Sequence, residues 1–200
     1  LASQLNQVFM NLLVNAAQAI EERGTITVST GIENKGIYVE IKDTGKGMDL
    51  HTLKRFHQPY RKPEDKYGIS KHGIGSCVFT ALGGVRETHT INSSGARSAH
   101  WDPLSQNEDE RTPICQQAVH QDQWHLIDFL DEKKSQTGTE IIISEINFNH
   151  ISGAASGFAR DIRNSCKTRY SRYLDKKHIK IEVQWIDGKG NPNDLLNIKS

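Results

Sequence analysis

An aspartate followed by two glycines at alternate positions, Asp43, Gly45 and Gly47, is the first group whose residue types could do chemistry. An ionised carboxylate only accepts hydrogen bonds, so Asp43 could accept one from an exocyclic amine such as N6 of adenine. Glycines beside it remove the Cβ atoms that would keep a flat ring away from the backbone. The same spacing is also typical of an ordinary turn. Taken alone, the stretch from Lys42 to Met48 is therefore either a base-binding site or a turn.

A second glycine-rich stretch, His72-Gly73-Ile74-Gly75-Ser76, leads into the apolar run from Cys77 to Leu82. Backbone N–H groups at the start of a helix are free and lie at its positive end, so they can hold phosphate oxygens. Glycines could also serve only to turn the loop into the helix, and this stretch alone leaves both interpretations open. It is not a Walker A loop, because Ile74 stands where that motif requires lysine.

A column of amides lies on the first predicted helix. Gln7, Asn11 and Asn15 are four residues apart, so they project from one face of that helix, beside its apolar stripe. A single asparagine is usually a solvated position, whereas three in line are typical of the wall of a site. An amide oxygen can bind a hard cation, so this column is a candidate Mg²⁺ ligand set.

The elements that must position these residues follow from apolar periodicity. Helices are predicted at 3–22, with Ser3 as N-cap and Gly24 as stop, and at 158–174. Strands are predicted at 25–30 and 37–41, which form one hairpin, at 85–91 and 96–101, which form another, and at 124–130, 139–146 and 179–185. Residues 49–71 are predicted to form a short helix and a mobile loop, residues 102–121 an insertion loop or frayed helix, and residues 131–134 a charged turn.

Bulk properties exclude several classes of protein. The chain has 200 residues, enough for one domain or one domain with part of a second. Its net charge of +1 gives no global field toward nucleic acid or membrane. No apolar run is long enough to span a bilayer, so no membrane segment is expected. The three cysteines are widely spaced, which fits a reducing compartment, and we expect a cytoplasmic protein. Because the first residue is Leu, we expect a fragment of a longer chain.

In motif and order, the chain resembles the GHKL family, the ATP-binding domains of gyrase, the heat-shock chaperone, histidine kinases and MutL. The matching stretches are Asn11 to Ala19 (NLLVNAAQA), Asp43 to Met48 (DTGKGM), His72 to Gly75 (HGIG) and the pair Gly138-Thr139. The resemblance covers residues 3 to 146. It implies an α/β (α+β) two-layer sandwich, with a mixed, mostly antiparallel sheet covered by helices, and ATP and Mg²⁺ held beneath a lid at about residues 49–72.

The resemblance also assigns roles. It makes Asn15 the Mg²⁺ ligand and Asp43 the acceptor for adenine N6, with Gly45, Gly47 and Met48 forming the rest of the first glycine box. The second box, at the phosphates, falls on Gly73, Ile74, Gly75 and Ser76. His72 is expected to cap this loop or contact phosphate, and Thr139 to support the adenine-side network.

Departures from the family pattern indicate which branch of the GHKL family the chain resembles. In the gyrase, chaperone and MutL branches a glutamate general base stands four residues before the metal-binding asparagine, and here that position is Asn11. This feature and the surrounding helix resemble a histidine kinase. The added strands after residue 84 resemble the MORC, MutL and gyrase branches, in which a second unit follows; we expect an ATP-binding domain at 1–150 and the start of a transducer-like domain at 151–200. The hypotheses are a lid-gated ATPase with slow hydrolysis that dimerises on nucleotide binding, the catalytic domain of a histidine kinase, or a nucleic-acid-binding module that uses the basic segment 158–177.

Two other groups of residues offer chemistry. The segment 158–177 is rich in cations, and basic residues interleaved with tyrosines can bind nucleic acid, although most charge runs are only solvated faces. The residues concerned are Arg160, Arg163, Lys167, Arg169 and Arg172. His120, Asp122 and His125 offer three metal ligands in a short span, with no fourth evident.

Overall fold

The computed structural model describes residues 2–33, 36–57, 84–118, 121–146, 160, 164, 178–186 and 192–198. The helices are α1 (Ala2–Ala19), α2 (Leu50–His57) and α3 (His125–Lys133). The strands are β1 (Arg23–Glu33), β2 (Gly36–Asp43), β3 (Val85–Asn92), β4 (Gly95–Trp101), β5 (Ile114–Gln117), β6 (Gly138–Ile146), β7 (His178–Ile186) and β8 (Pro192–Ile198). Short 3-10 helices lie at Glu108–Arg111 and Gln121–Gln123.

The eight strands form one sheet in the order β5-β4-β3-β6-β2-β1-β7-β8. Strand β1 pairs with β7 in parallel, whereas the other neighbouring pairs are antiparallel. The sheet is therefore mixed and mostly antiparallel, as predicted. Strand β6 lies between β2 and β3, so it brings Thr139 directly opposite Asp43 on one side and Thr90 on the other.

The main core lies between α1 and one face of the sheet. Residues at helical spacing on α1 pack against alternate residues of β1, β2, β6 and β7; the helix contributes Phe9, Leu12, Leu13, Ala16 and Ile20, and the strands Ile26, Val28, Val39, Ile41, Ile141, Ile143, Ile181 and Val183. Burial of each large apolar side chain contributes about 1.5–3 kcal/mol. This helix layer on a sheet is the predicted sandwich.

Helix α2 covers the same face further along. Its Leu53 and His57 are fully buried, and His57 Nε2 lies 3.2 Å from Thr88 Oγ1 on β3. Helix α3 lies against the opposite face, where Leu126, Phe129 and Leu130 form a small cluster with Ile91 and Trp124.

The strand predicted at 124–130 is wrong, because residues 125–133 form α3. The predicted charged turn at 131–134 is wrong for the same reason, since α3 continues to Lys133. Lys134 then ends the helix in the left-handed conformation, with φ of 56°. Leu126, Phe129 and Leu130 follow the i, i+3, i+4 spacing of a helix, so their burial here fits α3 and not a strand.

Other predicted elements agree closely or differ at their ends. Both hairpins are confirmed, and β6 begins at Gly138 as expected. Helix α1 begins at Ala2 and ends at Ala19, so Ser3 lies inside it and Gly24 lies in β1. Residues 102–121, expected to be a loop or frayed helix, include the edge strand β5, and strand β8 was not predicted.

The domain boundary near residue 150 stays a prediction. Strand β7, which was placed in the second unit, pairs along its whole length with β1 in the same sheet. Of the predicted helix 158–174, Arg160 and Asn164 are helical, and its other residues lie outside the described part of the chain.

Candidate nucleotide-binding site

Asp43 is the last residue of β2 and is only 4% exposed. Its Oδ1 accepts a hydrogen bond of 2.8 Å from the backbone N–H of Gly45, and the backbone N–H of Thr139 also donates to the carboxyl group. Burial raises the pKa of Asp43 to about 7, and these two hydrogen bonds oppose the rise. A carboxyl group fixed by backbone donors at a strand end is a pre-oriented acceptor for a ligand.

The two glycines after Asp43 stand where side chains cannot fit. A Cβ added to Gly45 would lie 2.8 Å from Asp43 Oδ1 and 2.7 Å from the Cβ of Ala19. Gly47 has φ of +67°, and a Cβ there would lie 2.1 Å from the carbonyl oxygen of Ile91. Both positions therefore require glycine, one because of crowding at the carboxylate and the other because of backbone conformation and crowding together.

Thr90 joins two of the predicted site residues. This fully buried β3 side chain accepts a 2.8 Å hydrogen bond from the backbone N–H of Met48, and its Oγ1 lies 3.2 Å from Thr139 Oγ1. It also donates to the carbonyl oxygen of Gly138 at 3.2 Å. Asp43, Met48 and Thr139 thus belong to one network. Thr90 was not predicted, since it follows no recognisable motif in the sequence.

Further contacts fix the loop after Asp43 on both sides. The N–H of Lys46 donates to the carbonyl oxygen of Ala19 at the end of α1, at 3.0 Å. On the other side, Thr137 Oγ1 donates to the carbonyl oxygen of Gly45 at 2.8 Å. The loop is therefore attached to both α1 and the segment before β6. Thr137 was also missed by sequence reasoning, because a threonine in a turn carries no distinctive signal.

Asn11 and Asn15 lie on α1, half-buried and exposed respectively. Asn15 is four residues before Ala19, so the two are on the same side of the helix, one turn apart. Since Ala19 contacts the loop after Asp43, the amide of Asn15 is one helical turn from the candidate base site. Its role as a Mg²⁺ ligand stays a prediction.

Several predicted site residues lie outside the described part of the chain. These are His72, Gly73, Ile74, Gly75 and Ser76, together with the part of the predicted lid after His57. The first part of the lid is described: Asp49 Oδ1 accepts from the N–H of Thr52 at 2.7 Å, which places α2 directly after the first glycine box.

The second predicted metal set has a different arrangement from the one expected. His120 lies outside the described residues, and His125 Nδ1 lies 3.1 Å from Glu40 Oε1 on β2. In the predicted basic helix, Arg160 is exposed, whereas Arg163, Lys167, Arg169 and Arg172 lie outside the described residues.

Comparison with known proteins matches the first half of the chain to a protein family. Residues 1–98 match the family model described as histidine kinase-, DNA gyrase B-, and HSP90-like ATPase. The chain is 31% identical over 106 residues to the sensor histidine kinase ZraS of Escherichia coli O157:H7, a match that covers 51% of this chain and 22% of that protein. It is 33% identical over 64 residues to sporulation kinase C of Bacillus subtilis strain 168, covering 32% of this chain and 15% of the kinase.

The fold is shared with a longer protein over almost the whole chain. The crystal structure of the N terminal domain of a DNA repair protein superimposes with a TM-score of 0.52 at 14% identity, covering 96% of this chain and 51% of that one. At this identity the likeness concerns the fold alone. The chain spans about a fifth or less of the length of the two kinases named above.

Among the described helices, none has the length and apolar character needed to cross a membrane. The matched family, the kinase relatives and the helix-covered mixed sheet agree with the motifs around Asn15 and Asp43. Residues 1–98 therefore belong to the GHKL superfamily and form part of an ATP-binding domain of the histidine kinase-, DNA gyrase B- and HSP90-like type.

Proposed function

We propose that this domain binds ATP with Mg²⁺ at Asp43 and uses the nucleotide to drive dimerisation or domain movement, with slow hydrolysis. The observation that carries the proposal is the buried carboxyl group of Asp43, fixed by two backbone N–H groups beside glycine positions where no Cβ fits. A flat base needs such an acceptor and such an approach, and an ordinary turn needs neither a buried acid nor the network through Thr90.

Each residue has a chemical task in this proposal. The carboxylate of Asp43 accepts from the adenine amine, while Gly45 and Gly47 keep side chains away from the base. Asn15 supplies an amide oxygen to Mg²⁺, and residues 73–76 supply backbone N–H groups to the phosphates. Bound Mg²⁺ would neutralise charge that develops on the phosphoryl group.

Hydrolysis should be slow because Asn11 occupies the position of the family's general base. An amide cannot accept a proton near neutral pH, so the attacking water lacks activation at this position. General-base catalysis typically contributes about 10²–10⁴-fold to a rate. A domain without it would turn over slowly and stay in its nucleotide-bound conformation for long periods, which suits a protein that acts through conformational change.

The second candidate is the catalytic domain of a histidine kinase. Asn11 and the similarity to ZraS and sporulation kinase C favour it, since a kinase passes the phosphoryl group to a histidine of another domain and needs no water-activating base on α1. The strands after residue 84, which form β3 to β8 of one sheet, resemble the layout of the MORC, MutL and gyrase branches and favour the first candidate.

Isothermal titration with ATP and Mg²⁺ tests the shared claim of both candidates. Asp43→Ala should abolish binding, whereas Asp122→Ala, which removes an exposed carboxylate elsewhere, should bind as the unmodified chain does. Circular dichroism shows whether each variant is folded. If the folded Asp43→Ala variant binds ATP with equal affinity, Asp43 does not bind the adenine base, and both candidate functions are contradicted.

Phosphate release and phosphotransfer separate the two candidates. For the ATPase, we expect slow phosphate release from the isolated chain, about 10²-fold faster in Asn11→Glu and unchanged in Asn11→Gln, which keeps an amide. For the kinase, labelled phosphate from ATP should appear on a supplied histidine-containing domain, with no phosphate release from the chain alone.

A further inference from the structure

A row of charged residues crosses the sheet on the face opposite Asp43. Lys42 on β2, Glu140 on β6 and His89 on β3 are direct partners in the strand register. Because side chains alternate along a strand, these residues face away from α1, while their neighbours Asp43 and Thr139 face toward it. The row is therefore physically separate from the candidate nucleotide site.

Glu40 and His125 complete the group. Glu40 lies two residues before Lys42 on β2, so it shares the same face, and it is buried. His125 is the first residue of α3, and its Nδ1 lies 3.1 Å from Glu40 Oε1. Its side chain is 72% exposed, which leaves solvent access to the group.

Each of the two carboxylates has one oxygen within 2.7 Å of a nitrogen of a basic side chain. Glu40 Oε2 lies 2.7 Å from Lys42 Nζ, and Glu140 Oε2 lies 2.7 Å from His89 Nδ1. Lys42 and His89 thus orient the two carboxylates in the way that outer-sphere residues orient metal ligands.

The remaining oxygen of Glu140 has no hydrogen bond. Glu140 is 0% exposed, and its Oε1 finds no hydrogen-bond partner among the described residues; the nearest cation, Lys42 Nζ, is 3.9 Å away. A buried acceptor without a hydrogen bond is costly and needs an explanation. A metal ion coordinated by this oxygen would explain why it has no hydrogen bond.

Oxygen atoms of Glu40 and Glu140 and a ring nitrogen of His125 all lie within 4.8 Å of one another. Ligand atoms about 2.0–2.2 Å from a Zn²⁺ ion must lie closer to one another than this, so the three side chains must move slightly closer together to bind the ion. His125 can make that movement, since it is exposed at the start of a helix. One nitrogen and two carboxylate oxygens leave the fourth position of a tetrahedral Zn²⁺ for water.

We propose that Glu40, Glu140 and His125 bind one Zn²⁺ ion, or a divalent ion of similar preference, with Lys42 and His89 positioning the carboxylates. The site goes beyond the proposed nucleotide function, because it uses the opposite face of the sheet and none of the residues assigned to ATP. In the absence of the ion, the ammonium group of Lys42 balances part of the carboxylate charge.

Co²⁺ titration of the whole chain, without nucleotide and with excess Mg²⁺ to occupy sites for hard cations, tests the proposal. We expect one equivalent to bind with visible absorption typical of four-coordinate Co²⁺, without a thiolate charge-transfer band, and to be displaced by Zn²⁺. His125→Asn should weaken binding at least tenfold, and because its side chain is exposed this variant should fold. Glu140→Gln should act in the same direction, whereas His100→Asn, which alters a half-exposed histidine paired with Glu87, should bind normally.

Equal Co²⁺ binding by the unmodified chain and His125→Asn would overturn the proposal, as would a thiolate band, which would place the ion on cysteine. Co²⁺ binding seen only when Mg²⁺ is left out would also overturn it, because that would assign the ion to a site for hard cations.

Discussion

Burial of Asp43 makes the stability of the nucleotide-free domain depend on pH, and Asp43→Asn tests this directly. Asparagine has the same shape and keeps an oxygen that can accept from the N–H of Gly45. Its amide nitrogen cannot accept a hydrogen bond, so a backbone N–H that pairs with the replaced oxygen would lose its partner, at a cost of about 1 kcal/mol that is the same at any pH. The substitution also removes the titration, and only this second effect changes with pH.

The sign and size of the second effect follow from the pKa of Asp43, which is raised from 3.8 to about 7. A raised pKa means that the folded state holds the proton more tightly than the unfolded state. The stabilisation is fully present below pH 3.8 and is lost as the pH rises toward 7. Each pH unit of difference corresponds to about 1.4 kcal/mol, so about 4 kcal/mol of unfolding free energy should be lost across this range.

Urea denaturation of both proteins between pH 4 and pH 8 measures the effect as a difference. Glu40 and Glu182, whose pKa values are lowered, make stability rise with pH in both proteins and cancel in the comparison. We expect the asparagine variant to become about 4 kcal/mol more stable relative to the unmodified chain as the pH rises. If the unfolding free energies of the two proteins plotted against pH stay parallel, the pKa of Asp43 is not raised in the folded domain. That result would refute the reasoning from burial.

Two further predictions concern the loop after Asp43. Gly47→Ala should destabilise the domain more than Gly95→Ala in urea denaturation, because both have positive φ but only the first brings a Cβ within 2.1 Å of the carbonyl oxygen of Ile91; equal losses would contradict the contact. Thr137→Val should cost about 1 kcal/mol and weaken ATP binding in titration, since it removes the hydrogen bond to Gly45, while Thr137→Ser, which keeps the hydroxyl group, should change neither.

Local signals explain why the candidate nucleotide site could be predicted in part. Asp43 follows an alternating strand, and the glycines after it are needed for reasons that depend on the loop itself, so their spacing is visible in the sequence. Thr139 was recognised because Gly138 precedes it at the start of a strand. Thr90 was not, because it joins the site only through the pairing of β3 with β6, which the sequence does not reveal.

Signals that depend on tertiary structure were missed. The run from Trp124 to Leu130 is short and apolar, and such runs fit a strand or a buried helix equally well. The segment forms a helix because Leu126, Phe129 and Leu130 then pack together against one face of the sheet. In the same way His125 was interpreted with His120 and Asp122, its neighbours in sequence, whereas in the structure it contacts Glu40 from a distant strand.

Strand register connects the two faces of the sheet. Lys42 and Asp43 are adjacent on β2, as Glu140 and Thr139 are on β6, and in each pair one side chain faces α1 and the other faces away. A slip of one residue in β6 would turn Glu140 into the apolar core and take the Thr139 backbone N–H away from Asp43. An unpaired carboxylate in the core costs several kcal/mol, so the charged row opposes that slip strongly. The residues that hold Glu140 on the outer face therefore also keep the Thr139 backbone N–H in place beside Asp43.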